Sequence, residues 1–174
     1  MSEFDEHELT DAERMEEDSL AELGERFLAA LALLEEGKLD QAEDALRDIL
    51  REEPRLPEPH MELARLLLDT GRLSEAEGEA REALGYLKEG GQWVEDIEEN
   101  EVLALCHALL AEVLRRRADE DDVLFGDPET FRALVREAKE HFEEAARLDP
   151  KDEYSSYHAF FMGTDVPVPS DDGE

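Results

Sequence analysis

"GKLDQAEDALRDILREEP", residues 37–54, is answered 34 residues later by "GRLSEAEGEAREALGYLK", residues 71–88. Six of the eighteen positions are identical: Gly37/Gly71, Leu39/Leu73, Ala42/Ala76, Glu43/Glu77, Arg47/Arg81 and Leu50/Leu84. Others keep their character, with Lys38 facing Arg72, Gln41 facing Glu75 and Asp48 facing Glu82. In both copies the apolar residues recur at helical spacing: Ala42, Ala45, Leu46, Ile49 and Leu50 in the first, Ala76, Ala80, Ala83 and Leu84 in the second. Each copy opens on a glycine that ends another striped segment. "SLAELGERFLAALALLEEG" sets Leu20, Leu23, Phe27, Ala30, Leu31 and Leu34 on one face, and "PHMELARLLLDTG" does so with Met61, Leu63, Ala64, Leu66, Leu67 and, at its margin, Leu68. The spacing predicts a unit of helix, glycine turn and helix. Asp40 with Glu43, and Ser74 with Glu77, are expected to cap the second helices, and Pro54 and Pro57 to stop the first of them.

Composition agrees with helices and narrows the partners. The chain has 174 residues, enough for one domain with a modest core, and only 6% are aromatic. Eighteen basic residues stand against 50 acidic ones, a formal net charge of −32. Such a surface repels phosphate backbones and anionic lipid, so neither nucleic acid nor a membrane is an expected partner. Four of the cations are lysines. Abundant carboxylate with scarce lysine is the composition of salt-accumulating microbes, and equally of an acidic protein from an arginine-preferring genome; both readings stay open. Cys106 is the sole cysteine, which excludes an internal disulfide framework. The acidic "MSEFDEHELTDAERMEED" has no apolar core of a signal peptide, and no apolar run reaches 18 residues, so a cytoplasmic location is expected.

Gly37, Ala42, Leu46, Ile49 and Pro54, with Ala30 and Leu33 ahead of them, resemble the tetratricopeptide repeat. Residues 57–88 match again through Leu63, Ala64, Leu67, Gly71, Ala76 and Ala83, departing at Ala80 and Lys88. A third copy is split. "LCHALLAEVLRRR" supplies Leu110, Ala111 and Leu114, and "AKEHFEEAARLDP" supplies Ala138, Phe142, Ala145 and Pro150. Ala76 to Ala138 spans 62 residues, one 34-residue period plus 28 more. The surplus falls in "GGQWVEDIEENEV" and between the two helices of the third unit, whose second helix is expected over Pro128–Leu148 with Asp127 as its cap.

The resemblance implies an all-α, right-handed α-solenoid of about three hairpins, the third elongated, with units at 20–56, 57–90 and 98–150 and a C-terminal capping helix in 151–162. Residues 1–18 read as a flexible acidic segment and 163–174 as a disordered tail. It further implies a concave groove lined by first helices, presenting Phe27, Leu28, Leu31 and Leu34; Met61, Glu62, Arg65 and Leu68; and Leu105, Ala108, Leu109, Glu112, Arg115 and Arg116. Family members that grip a terminal carboxylate use Lys and Asn in those rows, and this chain has neither there. The expected occupant is a peptide or helix with apolar anchors and some acidic groups. Three fates of the apolar rows stay open: an open groove, cover by the chain's own ends such as Phe160 and Phe161, or a homodimer.

The expected function is that of a non-catalytic interaction scaffold or adaptor, the alternative being a specialised chaperone of the secretion type. No glycine-rich phosphate loop, nucleophile elbow or spaced set of metal ligands is written in the sequence, so neither enzymatic activity, nor a cofactor, nor a metal is expected. The dissenting reading is a metal-dependent activity at His107 and His141, against which stands a buried Cys106 beside a His107 on the polar face. "DEDD", residues 119–122, lacks the glycine and closing glutamate of a calcium loop and reads as a solvated tip. Arg115, Arg116 and Arg117 offset a helix dipole. Trp93 is expected to staple the inserted segment to the solenoid, and "VLF", residues 123–125, either folds back on its hairpin or forms a contact point.

Overall fold

The computed structural model describes residues 10–94 and 96–162, and these contain eight helices and no strand. The first hairpin pairs α1 (Asp11–Glu35) with α2 (Leu39–Glu52), and the second pairs α3 (Pro57–Asp69) with α4 (Leu73–Lys88). The third is longer, α5 (Glu99–Ala118) against α7 (Pro128–Leu148), with the single turn α6 (Asp121–Leu124) at its tip. The closing helix α8 (Glu153–Phe161) lies on α7. Each second helix also packs on the first helix of the next unit, α2 on α3 and α4 on α5, and α3 touches α5 directly. Such neighbour-to-neighbour stacking is the architecture of an α-solenoid.

The turns inside the first two hairpins are built alike. Gly37 and Gly71 sit at φ 72° and 78°, the left-handed region a side chain disfavours. Lys38 N–H reaches Leu33 O at 2.9 Å and Arg72 N–H reaches Leu67 O at 2.8 Å, closing both helix ends in the six-to-one pattern of a Schellman motif. The turn is so tight that Lys38 and Arg72 are themselves the N-caps of α2 and α4, with no side-chain cap bond. Asp40 and Ser74 therefore lie inside their helices, and the two capping boxes expected there do not form. A capping box does form at Thr10 and Glu13, and α1 starts at Asp11, eight residues before the expected Ser19. The second helix of the third unit has the expected bounds: Asp127 accepts from Glu129 N–H and Pro128 occupies the first turn. The segment 1–9 and the tail 163–174 lie outside the described residues.

One core runs through the stack. Alanines 30, 42, 64, 76, 80, 83, 111, 138 and 145 are buried where helices meet, and Phe27, Leu46, Ile49, Leu63, Leu67, Leu110, Leu114 and Phe142 fill the space between. Small residues let helix axes approach, and large ones on the facing helix occupy the grooves. Ion pairs stitch units together on the outside. Arg72, the N-cap of α4, holds Glu43 of α2 at 2.8 Å and Glu75 at 2.8 Å. Arg81 of α4 grips Glu137 of α7 through two bonds of 2.6 and 2.9 Å, and Arg117 of α5 pairs with Glu77 of α4. Arg81 holds the Glu137 carboxyl below the usual carboxylate range.

At the tip of the third hairpin the two readings of "VLF" divide between residues. Val123 is buried against the hairpin, whereas Leu124 and Phe125 are exposed. Among the described residues no helix is long and apolar enough to cross a membrane.

Candidate functional site

The inserted segment between α4 and α5 shapes the main cleft. It leaves α4 at Gly90 and Gly91 and passes along the middle of α1. Its position is fixed from three sides. Val94 N–H donates to the buried carboxylate of Glu58 on α3 at 2.5 Å. Trp93 is half-buried against the core, as expected of a staple, and its Nε1 donates to Ile97 O at 3.1 Å. On α1 the segment passes Gly24, where a Cβ would stand at ordinary contact distance, 3.8 Å, from Val94 Cβ.

Between α1 and this segment lies an open cleft of about 720 Å³, with Leu20, Phe27, Leu28, Val94 and Ile97 among its walls. Leu28 is 62% exposed although it is a large apolar residue. Glu17, Glu25 and Asp96 also line the cleft, so its acidity is local as well as global. Sequence reasoning expected Trp93 to anchor the insertion but missed that the insertion itself walls α1. That path depends on the pairing of Val94 with Glu58, 36 residues apart, for which no local signal exists.

The residues expected to line the groove divide by exposure. Leu28, Leu105 and Arg116 are exposed, and Arg65 is exposed but bound to Glu62 at 3.3 Å. Leu31, Leu34, Glu112 and Arg115 are half-buried. Phe27, Met61, Leu68 and Leu109 are buried in the core, because the helices and the inserted segment close over them. Arg115 is tied to Glu112 at 2.7 Å and faces Asp119 at 3.7 Å, and Glu112 also accepts from Tyr154 Oη of α8 at 2.7 Å. The arginine-rich end is thus largely neutralised internally. Cover by Phe160 and Phe161 does not occur: both are exposed on α8, at 70% and 52%.

The structure brings His107 and His141 together, Nδ1 to Nδ1 at 2.8 Å with the rings 5.1 Å apart. His107 is buried rather than on the polar face, because α7 lies over it. Burial, with His141 beside it, pushes its pKa down to about 4, and burial lowers His141 also. The pair is neutral, one ring donating to the other. Cys106 is buried, points at Ala80 O at 3.7 Å, and burial pushes its thiol up to about 12, far from nucleophilic.

A second histidine site was missed by the sequence reading. His60 of α3 faces Glu79 and Glu82, one turn apart on α4, and these three form the one group of at least three metal-capable side chains among the described residues. Burial lowers the His60 pKa, but Glu79, Pro54 O and Glu82 together outweigh it and the net direction is upward. Glutamates at i and i+3 opposite a histidine are a visible signal once the rotation of α3 against α4 is known.

Stacked helix hairpins with one continuous core define an all-α helical-repeat protein. Residues 33–89, about a third of the chain, match the family model Tetratricopeptide repeat, which supports the repeat reading of the first two hairpins. No curated protein matches the chain. Repeats of this family generally mediate protein–protein interaction and are typically non-catalytic scaffolds.

Proposed function

We propose that this protein is an interaction module, an adaptor that holds a partner peptide or helix against the first helices of its hairpins, anchored in the cleft between α1 and residues 92–97. The observation that carries this reading is the exposed Leu28 beside Leu20, Phe27, Val94 and Ile97 in a cleft whose far wall is already fixed by Glu58. A preformed wall spares the partner the ordering cost of building it. An apolar side chain entering the cleft would bury area worth about 25 cal/mol per Å². Glu17, Glu25 and Asp96 favour Lys or Arg flanking that anchor. The remaining exposed groove residues, Leu105, Arg65 and Arg116, extend the surface along α3 and α5.

Selection from a displayed random-peptide library tests the reading. Enriched peptides should carry a large apolar residue flanked by cations, and Leu28→Arg should weaken them at least about tenfold, since a guanidinium would replace the apolar contact. A library that yields no enrichment, or peptides indifferent to Leu28→Arg, rejects the cleft as the anchor. Sedimentation of the free chain checks the competing occupant, a second copy.

A further inference from the structure

His60 is 4% exposed, yet both of its ring nitrogens face oxygen. Nδ1 lies 2.6 Å from Glu79 Oε2, while Nε2 lies 2.8 Å from Pro54 O and 3.6 Å from Glu82 Oε2. Carbonyls and carboxylates accept hydrogen bonds, and a neutral imidazole has a single N–H to give. With one proton, the ring would turn a lone pair toward an acceptor. The second nitrogen therefore requires a positive partner, a proton or a metal ion.

We propose that Nε2 of His60, the Glu82 carboxylate and the Pro54 carbonyl form a binding site for a divalent transition-metal ion of the zinc type. Glu79 holds Nδ1–H, which fixes the tautomer and aims Nε2, the carboxylate–histidine–metal arrangement common at such centres. Ligands around tetrahedral zinc stand roughly 3.3 Å apart at bond lengths of about 2.0–2.2 Å. The 2.8 and 3.6 Å separations here bracket that spacing, so small side-chain adjustments suffice. The Glu82 side chain is 59% exposed, which gives the ion an entry path and room for water in the remaining position. Tyr86, its ring centroid 5.6 Å from that of His60, forms an aromatic neighbour to the site. Arg47 Nη1, 3.8 Å from Glu79 Oε1, bears on the carboxylate that orients the ring and not on the proposed ligand Glu82. Imidazole with oxygen ligands selects zinc, nickel, cobalt or copper over magnesium and calcium. A bound ion would tie Pro54, at the end of the first hairpin, to α4 of the second, so metal would stiffen the junction between repeats.

Thermal unfolding of the full chain, first stripped with EDTA and then given ZnCl₂, tests the site, with MgCl₂ controlling for loose binding to the acidic surface. Zinc should raise the wild-type midpoint by several degrees at concentrations where magnesium does nothing. Glu82→Gln, a change at an exposed side chain, should remove most of that shift, and His60→Gln all of it. Cobalt-loaded protein should show visible d–d absorption that Glu82→Gln weakens. The proposal is overturned if zinc leaves the midpoint unchanged, if magnesium matches it, or if Glu82→Gln shifts as far as wild type.

Discussion

Nδ1 of His107 on α5 and Nδ1 of His141 on α7 meet at 2.8 Å between the two longest-packed helices of the third hairpin. One ring must donate and the other accept, so the contact is lost once both rings carry an extra proton. Glu137 and Glu144 face the pair with negative charge, and Lys88, Arg81 and Arg147 with positive charge. Because folded His107 has a pKa of about 4, below its ordinary 6.5, the unfolded chain takes up the proton first as pH falls. Stability is complete above pH 6.5 and is lost as pH falls from 6.5 toward 4, by on the order of 3 kcal/mol for this one group. Denaturant melts at pH 7.5, 6 and 5 check this, and His107→Gln should flatten the slope in that window. An unchanged slope in the variant would assign the acid lability elsewhere.

Phe142 fills the junction of α7 and α8, its ring stacked 4.9 Å from His158 and 6.0 Å edge-on from Tyr154. Phe142→Ala should cost about 3–5 kcal/mol, the usual range for a fully buried phenylalanine. Loss of that support should also free α8, which limited proteolysis would report as early cleavage near Tyr157 and Phe160. A variant with wild-type stability and an uncut α8 would mean the closing helix is held by other contacts.

Gly71 lies at φ 78° with open space where a Cβ would stand. Gly71→Ala therefore suffers no clash, only the left-handed backbone penalty of roughly 1–2 kcal/mol. Gly71→Asn should lose less, because asparagine tolerates that region. Equal losses for the two would point to packing, not backbone, as the constraint.

A net charge of −32 on a chain of this size repels itself, and added salt screens that repulsion. The melting midpoint should rise from low salt to about 1 M KCl, where the screening length shrinks to about 3 Å. A midpoint that falls would show the bridges of Arg72, Arg81 and Arg117 to outweigh the repulsion.

Much of this molecule could be read before its shape was known, and what could not follows one rule. The doubled phrase at Gly37 and Gly71 fixes the repeat because glycine, alanine and leucine act locally. Asp127 and Pro128 set the start of α7 for the same reason. Thr10 and Glu13 carried an equally local signal for α1, hidden by the acidic composition around them. Asp40 and Ser74 misled, since the glycine turn delivers the chain into the helix two residues earlier than a side-chain cap would. The path of residues 92–97 and the meeting of His60 with Glu79 and Glu82 depend on how helices rotate against each other, and no short-range pattern records that.

Trp93, the single tryptophan, sits beside Val94 on the segment that walls the cleft. Titrating a library-selected peptide while following Trp93 fluorescence therefore measures docking at the claimed place. A saturable change in wild type that disappears in Leu28→Arg is the expected result; binding that leaves Trp93 silent and survives Leu28→Arg would place the partner elsewhere and contradict the account.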